Sequence, residues 1–196
     1  ANALTGTLEL GLGRLLLTGS VAGDVLALGG TTFDGAGTIG GTLTLADNAT
    51  LNIGNGGVGT LTVGGLEFSS TLVLNYDLGA PGIGGASDRI QVNGNLTLDG
   101  RLNARDVGGF GAGVYRLIDV TGSVIDNGLA VTGLGHDPQA TILGQRATGP
   151  AVPAAFLQPG RGDVVVHMIA VVQCDQHVHV EQGAHLKCLL RRAGGR

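Results

Sequence analysis

The 196-residue chain has no tryptophan, one methionine, two cysteines, two tyrosines and four phenylalanines, and only 13% of its residues are charged. Each shortage excludes something. A sandwich core about 10 Å thick is commonly filled by bulky inward aromatics, and an aromatic content of 3% does not supply them. A net charge of −4 gives no basic stripe to neutralise phosphates, and no aromatic platforms alternate with arginine, so nucleic acid is not expected as a partner. No run approaches the roughly 18 consecutive apolar residues of a membrane helix. The strand-like segments carry no aromatic girdles of the kind an outer-membrane barrel uses.

Catalytic equipment is equally sparse. The residues before His136 include no histidine to serve as a general base, and no G-x-S-x-G elbow occurs anywhere. Asp77, Asp88, Asp99 and Asp106 are scattered among Arg89, Arg101 and Arg105. Asp88 with Arg89, and Arg105 with Asp106, read as turn or surface ion pairs between sequence neighbours, each worth at most about 1 kcal/mol. The chain is therefore expected not to be an enzyme and to bind no cofactor.

What the sequence has is glycine, 38 residues of it, without the strict every-third spacing of collagen. A hydrophobic content of 43% is too high for a disordered chain. Short alternating runs recur, among them Thr42-Leu43-Thr44-Leu45, Thr50-Leu51-Asn52-Ile53, Thr60-Leu61-Thr62-Val63, Thr71-Leu72-Val73-Leu74, Arg89-Ile90-Gln91-Val92 and Asn95-Leu96-Thr97-Leu98. Each puts two aliphatic side chains on one face of a half-buried strand. Turns rich in Gly, Asn and Asp separate them. Single aliphatic rows suit a solenoid whose coils stack like side chains into ladders, with glycine supplying positive φ angles at the corners. The periodicity favours a parallel β-helix over a sandwich or barrel. The expected core is Leu43, Leu45, Leu51, Ile53, Leu61, Val63, Leu72, Leu74, Ile90, Val92, Leu96, Leu98, Leu117 and Ile118. Because Leu117 and Ile118 are adjacent, one of them is expected to be exposed or at a bulge.

From about Gly35 to Leu134 the order of pieces is specific. "GAGTIGGTLTLADNATLNIGNGGVGTLTVGGLEFSSTLVLNYDLG", "SDRIQVNGNLTLDGRLN" and "GVYRLIDVTGSVIDNGLAVTGL" resemble the passenger-associated repeat and pre-barrel segment of bacterial autotransporters. One departure is "NIGNGGVGTLTV", where the family's turn has lost both prolines and should be looser. The resemblance implies an all-β, right-handed, single-stranded parallel β-helix forming the C-terminal part of a passenger. It also implies a non-catalytic stalk, secreted or held at the bacterial surface after export through the outer membrane. Its partners would be the translocator barrel of the same full-length chain and, for an adhesin or virulence factor, host-cell surface molecules. In that family this segment resembles a folding nucleus for upstream coils. The alternative is the stalk of an autotransporter enzyme whose catalytic domain lies upstream. The opening "ANALTGTLEL" has neither the basic nor the apolar region of a signal peptide, and the chain is expected to be a fragment of a longer protein.

Residues 1–134 are read as coils, 135–172 as a terminal link and covering strand around Val164 to Val172, and 173–196 as an atypical tail. All five histidines lie at or after His136, and both cysteines lie in the tail. There Cys174, His177, His179, His185 and Cys188 could offer soft ligands to zinc, but their spacing matches no ordinary finger or ribbon and the cluster is read as fortuitous. Alternatively Cys174 and Cys188 would close a disulfide loop in an exported chain. Arg161-Gly162-Asp163 is the tripeptide displayed by integrin ligands and is the one candidate cell-attachment site. It reads first as a turn entering the next strand. "GGTTFDGAG" departs from the calcium-binding nonapeptide at two positions and has no second copy.

Overall fold

The computed structural model describes residues 6–82, 86–110, 114–132, 141–145 and 165–169. It is a parallel β-helix, and among the described residues there is no helix. Each coil contributes up to three strand segments. The first face collects β1 (Leu8–Leu10), the second β2 (Arg14–Leu17) and the third β3 (Ser20–Val21). The next coil returns through β4 (Val25–Ala27), β5 (Thr32–Gly35) and β6 (Thr38–Leu45), and β6 bends at Gly40-Gly41 to run on from the third face into the first. After β7 (Thr50–Ile53), β8 (Thr60–Phe68) bends in the same way. Then follow β9 (Val73–Leu78), β10 (Arg89–Val92), β11 (Leu96–Leu98), β12 (Arg101–Asp106), β13 (Val114–Arg116), β14 (Ile118–Val120), β15 (Val124–Asp126) and β16 (Ala130–Thr132).

Parallel register turns each strand into one rung of a ladder. On the first face Val25, Leu43, Leu66, Leu96 and Val124 stack in turn; on the second Phe33, Leu51 and Leu74 are joined by Leu102; on the third Val21, Ile39, Val63, Val92 and Val120 align. Side chains alternate in and out along a strand while coils repeat every 4.8 Å or so across it, so like residues meet like. All fourteen expected core residues are buried. Leu117 and Ile118 are buried together, because Leu117 occupies the break between β13 and β14, where strict alternation lapses. At the N-terminal end, where β1 and β2 are the last strands of their sheets, the inward Leu8, Leu10, Leu15 and Leu17 are only partly buried.

The coils are unequal. On the first face Leu8 pairs with Val25, Val25 with Leu43, Leu43 with Leu66, Leu66 with Leu96 and Leu96 with Val124, steps of 17, 18, 23, 30 and 28 residues. The added length falls at one corner, between the second and third faces. Two residues link β2 to β3 and two link β5 to β6, whereas 54–59 link β7 to β8, 79–88 link β9 to β10, and 107–117, with β13 among them, link β12 to β14. Growth at a single corner leaves the other two tight and the ladders in register.

Glycine serves two of the corners for different reasons. Between the first and second faces the chain turns through positive φ at Gly13, Gly30, Gly100 and Gly128, and Asn48 (φ 61) stands where the coil before it has Gly30. Asparagine tolerates this left-handed conformation better than other residues with a Cβ. Between the third and first faces φ is not positive, contrary to expectation. There Gly40, Gly64, Gly94 and Gly122 stack so closely that a Cβ on Gly64, Gly94 or Gly122 would lie under 3.0 Å from the carbonyl oxygen of the glycine one coil earlier.

The strand expected around Val164 to Val172 is β18 (Val165–Ile169). It is antiparallel, lying between β13 and β17 (Thr141–Gln145) in a separate three-stranded sheet.

Gly64→Ala should therefore push two coils apart and cost about 1–3 kcal/mol. Gly57→Ala, where an added Cβ meets nothing within 4 Å, should leave the denaturant midpoint within about 0.5 kcal/mol of wild type. Equal effects of the two substitutions would refute the close-approach explanation.

Candidate functional site

Arg161-Gly162-Asp163 and the tail cluster Cys174, His177, His179, His185 and Cys188 lie outside the described residues. Among the described residues no group of three or more His, Cys, Asp or Glu is placed to hold a metal ion. Polar side chains bind one another from coil to coil, and two sets of them involve several coils each.

The first set is a ladder on the outward side of the second face. The dipeptides Phe33-Asp34, Leu51-Asn52, Leu74-Asn75 and Leu102-Asn103 occupy the same register in four successive coils. The apolar residue points in, so its polar neighbour points out. Asn52 Nδ2 donates to Asp34 Oδ1 at 2.5 Å, Asn75 Nδ2 to Asn52 Oδ1 at 2.6 Å, and Asn103 Nδ2 to Asn75 Oδ1 at 2.9 Å. Arg14 reaches the other oxygen of Asp34 from the first coil. Every amide donor points toward the N-terminal end, and the row ends on a carboxylate that an arginine neutralises.

The second set sits at the corner that carries the long loops. Asp88 is 1% exposed, and its carboxylate accepts two backbone N–H groups, from Gly59 at 2.8 Å and from Asp77 at 2.7 Å. Its own N–H donates to the Asp77 carbonyl at 2.8 Å. One side chain thus fastens the neck of loop 54–59 to the neck of loop 79–88, across two coils. Beside it Arg105 grips Asp77 with two bonds of 2.7 and 2.6 Å. The Tyr76 hydroxyl, whose pKa burial pushes well above the ordinary phenol value, donates to the Leu117 carbonyl of the next coil. Phe110 stacks on Tyr115 with centroids 5.3 Å apart.

The expected pairing of sequence neighbours is corrected here. Arg105 pairs with Asp77, and Arg89 with Asp119 at 2.5 Å, rather than with Asp106 and Asp88. Adjacent residues in a strand face opposite ways, whereas the residue one coil away shares the face. Neither set presents an unpaired nucleophile or base beside a cleft. Both are fasteners between coils.

Around Asp88 the loop tips are uncharged, and their described parts at 55–58, 80–82 and 107–109 are exposed. Segments 54–59, 79–87 and 107–113 contain no Asp, Glu, Lys or Arg. Val58 is 46% and Val107 41% exposed, Ala80 and Pro81 are exposed, and Gly109 lies against Ala80.

No protein-family profile matches the chain. Among curated proteins, the adhesin BmaC autotransporter of Brucella suis biovar 1 (strain 1330) is 47% identical over 83 residues, which is 40% of this chain and 2% of the adhesin. The chain is similar to a segment of an autotransporter. It spans a small fraction of that relative's length, so the similarity bears on one segment and not on the whole adhesin.

Two outcomes follow for the fasteners. Asn75→Ala removes two amide bonds from a half-exposed row and should cost about 1–2 kcal/mol in urea unfolding. Asp88→Asn turns an amide NH₂ toward one of two backbone donors, for a loss of about 1–3 kcal/mol. Burial pushes the Asp88 carboxyl from 3.8 up to about 7, aided by the nearby Asp77 carboxylate and opposed by the Asp77 and Gly59 N–H groups and by Arg105. The folded state then holds a proton that the unfolded chain releases between those values. Stability from this group is fully present below pH 3.8 and is lost as pH rises through about 7. Asp88→Asn should flatten that decline, and an unchanged slope in the variant would assign it to other groups.

Proposed function

We propose that this chain is a non-catalytic β-helical segment of an autotransporter passenger, exported through the outer membrane and displayed at the bacterial surface or released from it. It supports folding of the passenger, and its partner in that process is the translocator barrel of the full-length protein. The observation that carries the reading is the 47% identity with a segment of an autotransporter adhesin. It is supported by a core of continuous ladders and by polar groups spent on coil-to-coil contacts. A solenoid of this kind folds by adding each coil to the one before, with nearest-neighbour contacts only.

Adhesion is assigned to the corner that bears the lengthened loops. In solenoids, insertions that map to one face commonly mark the binding face, and here the tips 54–59, 79–82 and 107–110 gather at one corner without a charge among them. The partner's contact surface is accordingly uncharged and host-derived.

The test uses the full-length parent in its own bacterium. Leu96, 1% exposed in the first-face ladder, is replaced by Asp, which places an unpaired carboxylate in apolar surroundings. Surface display, read by antibody labelling of intact cells, should fall sharply. Val58→Asp together with Val107→Asp should leave display intact and reduce adherence to host cells. Normal display of Leu96→Asp would overturn the folding role, and undiminished adherence of the displayed double variant would overturn the corner as the adhesive surface.

A further inference from the structure

We propose that Asn55 is a site of spontaneous covalent modification, deamidation through a cyclic imide, and that the coil geometry directs this chemistry to it among three Asn-Gly pairs. The pairs are Asn55-Gly56, Asn93-Gly94 and Asn127-Gly128. The reaction needs the glycine nitrogen to lose its proton and swing onto the asparagine side chain, which glycine permits because it has no Cβ in the way. How each glycine is held therefore decides which pair reacts.

Asn55 and Gly56 sit at the exposed tip of loop 54–59. Neither the Asn55 amide nor the Gly56 N–H has a hydrogen bond to any described residue, and the space around Gly56 is open, with nothing within 4 Å of an added Cβ. The neck is fixed while the tip is free. Gly54 donates to the Gly35 carbonyl at 3.0 Å, Gly59 donates to Asp88, and the Cβ position on Gly59 falls against Gly54.

The other two pairs are fastened. Asn93 donates its N–H to Val63, the Gly94 carbonyl accepts from Gly122 at 2.9 Å, and Gly94 is wedged against the Gly64 carbonyl in the corner stack. At the third pair the Gly128 N–H itself is donated to Asp126 Oδ1 at 3.0 Å, and a neighbouring carboxylate opposes loss of that proton. Asn127 is also tied back, to the Leu98 carbonyl at 2.9 Å.

The steps balance without any oxidant or cofactor. Solvent base takes the Gly56 amide proton, and the nitrogen attacks Asn55 Cγ. The N–Cγ bond forms as the Cγ–Nδ2 bond breaks, and the amide nitrogen leaves as ammonia. Water then opens the imide at either carbonyl, giving aspartate or isoaspartate. Both products put a carboxylate on a loop tip that had none, and isoaspartate also lengthens the backbone by one carbon between two fixed necks.

The intact chain is incubated at mildly alkaline pH, digested at aspartate and glutamate, and read by peptide mass spectrometry with fragmentation that separates aspartate from isoaspartate. Asn55 should gain one mass unit about tenfold faster than Asn93 or Asn127 in the folded protein, since the fastened pairs must first open locally. In concentrated denaturant the three rates should converge. Asn55→Gln should remove the fast site without raising the other two. Equal rates in the folded state, faster reaction at Asn93 or Asn127, or the same ranking in denaturant would each overturn the proposal.

Discussion

Everything in this structure depends on one constraint: the nearest neighbour of a side chain on its own face is the residue one coil away, about 4.8 Å distant. A column of the solenoid must therefore be filled by residues that tolerate their own kind. Aliphatic side chains do, which gives the Val25, Leu43, Leu66, Leu96 ladder inside. Asparagine does as well, since each amide carries both donors and acceptors and can pass a hydrogen bond down the row from Asn103 to Asp34. Glycine does where backbones must touch, as at Gly40, Gly64, Gly94 and Gly122.

The same constraint explains where length is added. A coil that gained one residue on a strand would shift the inward side chains beyond it to the outside. Residues gained at a corner leave the register untouched, provided something holds the loop's neck. Asp88 does this for two loops together, and its burial between Gly59 and Asp77 shows why loops 54–59 and 79–88 return to the strand positions they left. The turn where the prolines are missing lies at a tip, with Gly54 and Gly59 fixed beneath it.

Much of the core was legible in the sequence because inward burial and period-2 alternation are the same fact. Leu43, Leu51, Leu61, Leu72, Ile90 and Leu96 could be named from pattern alone, and all are buried. The ion pairs were not legible. Reading Arg105 against Asp106 assumes that sequence neighbours share a face, whereas the partner Asp77 is 28 residues earlier and only the coil length brings it near. Coil length is the quantity the sequence hides, since it changes from 17 to 30 along one face. The asparagine ladder had a signal, the recurring Leu-Asn dipeptide, but the unequal spacing between copies masks it as a repeat. Asp88 carried no signal of its own. Its role comes from the neck of a loop in the preceding coil, and no local pattern contains that.

The scarcity of charge follows from stacking as well. Two like charges one coil apart would repel by about 3 kcal/mol at an effective dielectric near 20, so a column of carboxylates or of arginines cannot be built into regularly paired coils. At two positions of the second face a carboxylate is answered from the next coil by an opposite charge or a neutral amide: Arg105 stacks on Asp77, Asn52 on Asp34. A catalytic cluster of carboxylates on one solenoid face has to overcome that repulsion with metal ions or with basic residues held nearby. The described coils spend Arg14, Arg89 and Arg105 in coil-to-coil pairs with Asp34, Asp119 and Asp77, and the asparagines of the second face are engaged with one another. What they leave for the outside is shape: three uncharged loop tips at one corner, held out by strands that would stack the same way without them.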